Sequence, residues 1–167
     1  MGDNTKMRAP NGDLWPLKSP QARQIKIQSR IFQIDLNGEV QVAIDTNPEL
    51  VNTNGVGIAN NGDLLIAEFF KGNLFRAESS GIPSELQLIN TGFRGADAIE
   101  QAQDGSIYVS SWTQGKLWRF DAQGKNAELI SKDHRSAADF YLDEHHNRIL
   151  LPDMLTGTIV IIPLNKN

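Results

Sequence analysis

Apolar residues fall in short runs, each closed by a polar turn that carries glycine. Gly55–Ala59 reads as one strand and Asp63–Glu68 as the next, with Asn60-Asn61-Gly62 as the hairpin between them. Asn73–Ala77 and Leu86–Asn90 read as a third and a fourth strand. The runs are rich in Ile, Leu, Val and aromatic residues, the composition of half-buried strands. Glycine supplies the positive φ that tight hairpins need. No stretch carries a helical period with caps, so the pattern predicts an all-β chain.

The turns recur at a fixed step. Asn61-Gly62-Asp63-Leu64 is matched by Asp104-Gly105-Ser106-Ile107, 43 residues on. Gly72-Asn73-Leu74-Phe75-Arg76 is matched by Gly115-Lys116-Leu117-Trp118-Arg119 at the same step. Asp35-x-x-Gly38, Glu78-x-x-Gly81 and Asp121-x-x-Gly124 keep it twice more. Asn11-Gly12-Asp13-Leu14-Trp15 is an earlier copy at a step of 50, and Asp153-x-x-x-Gly157-Thr158-Ile159-Val160 a later one at 42. Four short strands per unit of this length is the pattern of propeller blades. A generic β-sandwich also has short strands and glycine turns, but nothing in it enforces a constant step. The expected architecture is one partial β-propeller domain, residues 1–167, with about four four-stranded blades near 1–50, 51–93, 94–135 and 136–167. The last blade has three strands and is incomplete. An open arc exposes blade faces and a strand edge, which predicts a homo-oligomer formed through those edges.

Composition narrows the partners. The 167 residues carry a formal net charge of −4 and no Lys/Arg cluster, which argues against nucleic-acid binding. Without cysteine there is neither a disulfide framework nor a thiolate metal site. No apolar run approaches a membrane span, the longest near the end being Ile159–Ile162. The opening Met-Gly-Asp-Asn-Thr-Lys lacks the apolar stretch of a signal peptide, so the expectation is a cytoplasmic protein without a membrane partner.

The chemistry that stands out lies where each blade begins. Eight positions before the hairpin glycine stand Asn4, Asn54 and Asp97, and 42 residues after Asp97 stands Asp139. Equivalent positions on successive blades converge on the channel axis. Asn and Asp oxygens are hard donors suited to Ca²⁺, Mg²⁺ or Mn²⁺. The same residue types also open strands by bonding nearby backbone, and Asn54-Gly55 has the look of an ordinary turn. The histidines are His134, His145 and His146, and His145-His146-Asn147 occupies a hairpin-turn position and reads as solvent-exposed. No Ser-His-Asp arrangement with a nucleophile elbow is present. Phe69, Phe70 and Trp112 follow second strands, at loops that either pack between blades or line a ligand mouth.

Three segments resemble the regucalcin/gluconolactonase/luciferin-regenerating family of six-bladed propellers. These are Thr53-Asn54-Gly55-Val56-Gly57 with its sequel to Glu68, Ala96-Asp97-Ala98-Ile99 with Asp104–Val109, and Gly115–Asp121. Ser29–Val40 is typical of it too. Strictosidine-synthase-like and NHL-repeat proteins share several of these motifs. The resemblance implies one divalent cation at the channel mouth, Ca²⁺ first, with Mg²⁺, Mn²⁺ or Zn²⁺ as the other choices. Its ligands would include Asn54, Asp97 and, at the remaining Asn position, Asn4. Asp139 is a further residue of the mouth. The family's Glu ligand falls in N-terminal blades that this chain does not contain, and Gly2 stands where a substrate-gripping Arg is expected. The implied reaction is hydrolysis of a small lactone, with Asp97 as general base. Glu68 and Glu100 are the in-chain choices for a replacement ligand. Strand alternation turns Glu100 away from Asp97. The alternative is a non-catalytic binding or scaffold module, or a degenerate propeller lacking a full metal site.

Overall fold

The computed structural model describes residues 9–11, 19–21, 29–78 and 85–164. Asn4 and most of the Asn11–Trp15 copy lie outside them. The chain divides into two compact units, Met1–Asn52 and Thr53–Asn167.

In the first unit, β1 (Ile31–Ile34) and β2 (Val40–Ile44) form an antiparallel hairpin. Its turn explains one repeat marker. The Asp35 carboxylate accepts the backbone N–H groups of Asn37 and Glu39 at 2.9 and 2.8 Å. Asp121 does the same for Gln123 and Lys125 at 3.0 and 2.7 Å. Such Asx turns need a short side-chain oxygen at that position, which is why Asp recurs there.

The second unit holds three antiparallel sheets in chain order. β3 (Thr53–Ile58), β4 (Leu64–Glu68), β5 (Leu74–Ala77) and β6 (Leu86–Asn90) form the first. β7 (Ala96–Gln101), β8 (Ile107–Ser111), β9 (Lys116–Phe120) and β10 (Glu128–Ser131) form the second. β11 (Tyr141–Asp143), β12 (Arg148–Asp153) and β13 (Thr158–Pro163) form the third, with the three strands expected of the last blade. The chain is all-β and the sheets are those of a partial propeller. Among the described residues no helix is long and apolar enough to cross a membrane.

Two apolar layers hold these sheets face to face. Leu65, Leu74, Phe93, Ile99, Val109 and Phe120 are buried in the layer between the first and second sheets. Tyr108, Leu117, Phe140, Ile149, Leu151 and Ile162 are buried in the layer between the second and third. Burying one such side chain stabilises by roughly 1.5–3 kcal/mol, so these layers, rather than the hairpins, account for most of the cohesion. Every residue of β8 is buried, because a middle strand covered on both faces has no solvent side. Among the described residues neither layer joins the first sheet to the third.

Candidate functional site

The site is built where β3 and β7, the first strands of adjacent sheets, begin. Both ladders slip there: the register shifts between Thr53 and Gly55 against β4, and between Ala96 and Ile99 against β8. Bulges of this kind re-aim side chains and recur beside active sites. Asn54 and Asp97 sit in the slipped segments. At the second slip the backbone N–H of Ala98 is taken up by the buried Ser110 hydroxyl at 3.0 Å, so the irregularity leaves no orphan donor there.

The structure brings Asn54 and Asp97 together. The Asn54 side-chain amide donates from Nδ2 to Asp97 Oδ2 at 2.8 Å, across the gap between the two sheets. Glycine makes this approach available. A Cβ on Gly55 would collide with the Asp97 carbonyl oxygen and lie 2.9 Å from Ala98 Cα. A Cβ on Gly57 would collide with the Ile99 carbonyl oxygen. β3 therefore lies backbone to backbone on β7, and only side-chain-free positions permit it.

Asp97 is half-buried, and its pKa is pushed up, first by burial and then by the negative charge of Asp139; the Asn54 hydrogen bond opposes the rise. Asp139 is exposed and accepts the backbone N–H of Phe140 at 2.9 Å. Strand pairing places Asp139 one residue away from strict equivalence with Asp97. Gln101 pairs with Ile107 in the second sheet, whereas Leu142 pairs with Ile149 in the third. The extra residue is absorbed by the single 3-10 turn Glu144–His146, which Asn147 closes at φ 50°. By this register Asp139 matches Ala98, although its charge still reaches Asp97.

The two glutamates do different work. Glu68 is fully buried, and its carboxylate accepts the N–H groups of Phe70 and Lys71 at 3.0 and 2.7 Å. It caps the turn after β4. The same position in the next sheet is Ser111, whose hydroxyl donates to the Arg94 carbonyl at 2.6 Å. In the third sheet it is Asp153, which accepts from Arg135 and Ser136 N–H at 2.8 and 3.0 Å. This set of buried ties went unremarked in the sequence, where the signal was a polar residue ending each second strand. Glu100 meets the Leu142 backbone of the third sheet, whereas Asp97 meets Asn54 of the first; the register slip between Ala96 and Ile99 interrupts the strict alternation expected between them. Burial, then the charge of Asp139, pushes the Glu100 pKa up, while a hydrogen bond from the Leu142 backbone lowers it. The histidines stay outside the site: His145 and His146 are exposed, and His134 Nε2 lies 2.7 Å from the Ser131 hydroxyl.

The Asn54 amide oxygen and the Asp97 carboxylate are hard donors, and no ion pair among the described residues neutralises Asp97, Glu100 or Asp139. In kind they fit a hard divalent cation. In number they fall short: among the described residues no group of three or more His, Cys, Asp or Glu side chains gathers to hold one.

No family model and no curated protein matches the chain by sequence. Its fold has close counterparts. A gluconolactonase from Xanthomonas campestris superposes with a TM-score of 0.67 at 14% identity, over 95% of this chain and 50% of that one. The calcium-binding protein regucalcin from Agrobacterium tumefaciens strain C58 gives 0.60 at 16%, over 83% and 56%. The nidogen/laminin complex contains a similar chain, 0.64 at 12%, over 80% and 52%. The chain spans about half the length of these solved structures. The likeness is one of fold, in which this chain's antiparallel sheets are those of a partial propeller.

Proposed function

We propose that the chain is a divalent-metal-dependent hydrolase that opens small lactones, with Asp97 as general base. The observation that carries this reading is the Asn54–Asp97 pair, held at 2.8 Å at matching positions of two adjacent first strands. The lactonase-like fold of the gluconolactonase neighbour adds to it. In this reading Asn54 and Asp97 would hold the ion, Ca²⁺ first. The chemistry a bound cation supplies is polarisation of the ring carbonyl and acidification of the attacking water. Asp97 would take the water proton on its carboxylate where that water comes within hydrogen-bond reach. The Asn54 N–H occupies Oδ2 and so orients the carboxylate, leaving Oδ1 for the proton.

A second reading, a non-catalytic binding or scaffold module, is favoured by the commitment of Glu68 to its turn, which removes one source of a further ligand. Calorimetric titration with Ca²⁺, Mn²⁺ and Zn²⁺, followed by pH-stat assay of lactone hydrolysis, separates the two. The hydrolase reading expects binding, and turnover that Asp97→Ala abolishes. No heat at millimolar cation, or a fully active Asp97→Ala variant, overturns it.

A further inference from the structure

We propose that Phe69, Phe70 and Trp112 form the recognition wall of the Asn54–Asp97 site and select lactones that carry an apolar substituent. This rests on the hydrolase reading and names its substrate class.

Strand pairing fixes the location. Thr53 pairs with Glu68, so the loop beginning at Phe69 opens beside Asn54. Ala96 pairs with Ser111, so the loop beginning at Trp112 opens beside Asp97. One residue ties both loops together. Gly95 donates its N–H to the Phe69 carbonyl at 2.7 Å and accepts the Trp112 N–H at 2.7 Å. Gly95 is two residues from Asp97, so the aromatic pair and the carboxylate share one backbone anchor.

The rings make a continuous surface. Phe69 and Trp112 have centroids 5.9 Å apart with planes inclined by 37°, and Phe70 meets Phe69 edge-on at 5.7 Å. All three side chains are only partly buried, so ring surface remains for a ligand. Several nearby polar groups are tied up in hydrogen bonds within the fold. Ser111 and Thr113 both donate to the Arg94 carbonyl, Asn73 accepts from Thr91, and Glu68 caps its turn. A wall of this kind recognises hydrocarbon better than hydroxyl groups.

One donor is left over. Trp112 Nε1 is shielded from solvent and has no hydrogen-bond acceptor. Trp118 Nε1 shares this property, but that ring packs against Phe93 in the core. At the mouth, a small shift of the Trp112 indole gives its N–H to a ligand oxygen while the ring stays against the apolar substituent.

The test compares kcat/KM for an unsubstituted δ-lactone, an alkyl-substituted δ-lactone and a polyhydroxylated δ-lactone. The wild type is expected to prefer the alkyl compound, and Trp112→Ala to lose that preference by about tenfold or more, mainly through KM, with Trp112→Phe retaining most of it. Equal or greater efficiency on the polyhydroxylated lactone overturns the proposal, as does a preference that survives Trp112→Ala. Hydrolysis of none of the three counts against the hydrolase reading instead. The wall is then tested by titrating a non-hydrolysable alkyl lactam and following tryptophan emission. A blue shift in the wild type that is lost in Trp112→Phe supports the wall, and no shift in the wild type refutes it.

Discussion

Gly55→Ala probes the step that creates the site, the backbone contact between β3 and β7. The new methyl would lie 2.9 Å from Ala98 Cα and 3.1 Å from Ala98 C, besides colliding with the Asp97 carbonyl oxygen. All three are backbone atoms of a strand packed on both faces, so no flexible side chain can give way. Ordinary contact begins near 3.4 Å, and the strands must part by about half an ångström or more. Overpacking of this kind costs roughly 1–3 kcal/mol. At about 4 °C per kcal/mol for a unit of this size, Tm should fall by about 4–12 °C. The same displacement stretches the Asn54–Asp97 bond from 2.8 Å to beyond about 3.2 Å, the upper end of good N–H···O geometry. Thermal unfolding followed by circular dichroism, alongside calorimetry of the cation, reads both effects. Val56→Ala, at the exposed neighbouring position, is the control and should stay within about 0.5 kcal/mol of wild type. A Gly55→Ala protein that melts within about 1 °C of wild type and binds the cation equally well would refute the contact.

Two further predictions concern charge and surface. The Arg148 guanidinium, donating at 2.7 Å, and then His146 hold the pKa of Asp143 at about 2. An unfolded Asp titrates near ~3.9, so this ion pair stabilises the fold fully above about pH 4 and is lost as pH falls towards 2. Asp143→Asn should therefore melt below wild type at pH 6 and converge with it near pH 2; a gap that does not change with pH contradicts the assignment. On the outer face of the third sheet Tyr141, Ile159 and Ile161 are 63%, 67% and 58% exposed. We propose that this face drives self-association, seen as a concentration-dependent mass in light scattering and relieved by Ile161→Lys. A stable monomer at millimolar concentration removes that proposal.

The sequence by itself determined the blades. A repeat of punctuation is a repeat of backbone chemistry: Asp35 and Asp121 recur because an Asx turn needs their oxygens, and Gly62 and Gly105 because their φ values are +91° and +90°. Those requirements are local, so they are legible one residue at a time. The equivalence of Asn54 and Asp97 followed from the same step and holds in the strand pairing. What the sequence left open were distances between sheets. It placed Asp139 by counting, and one inserted turn residue moved it off register. Glu68 was a possible ligand on paper, whereas the fold buries it under two backbone N–H groups. Gly57 lies inside a predicted strand, and only the fold shows that its missing side chain lets β3 touch β7. Only the tertiary structure decides such matters, because they depend on how closely one blade lies on the next, and that spacing is set by the volumes packed between them.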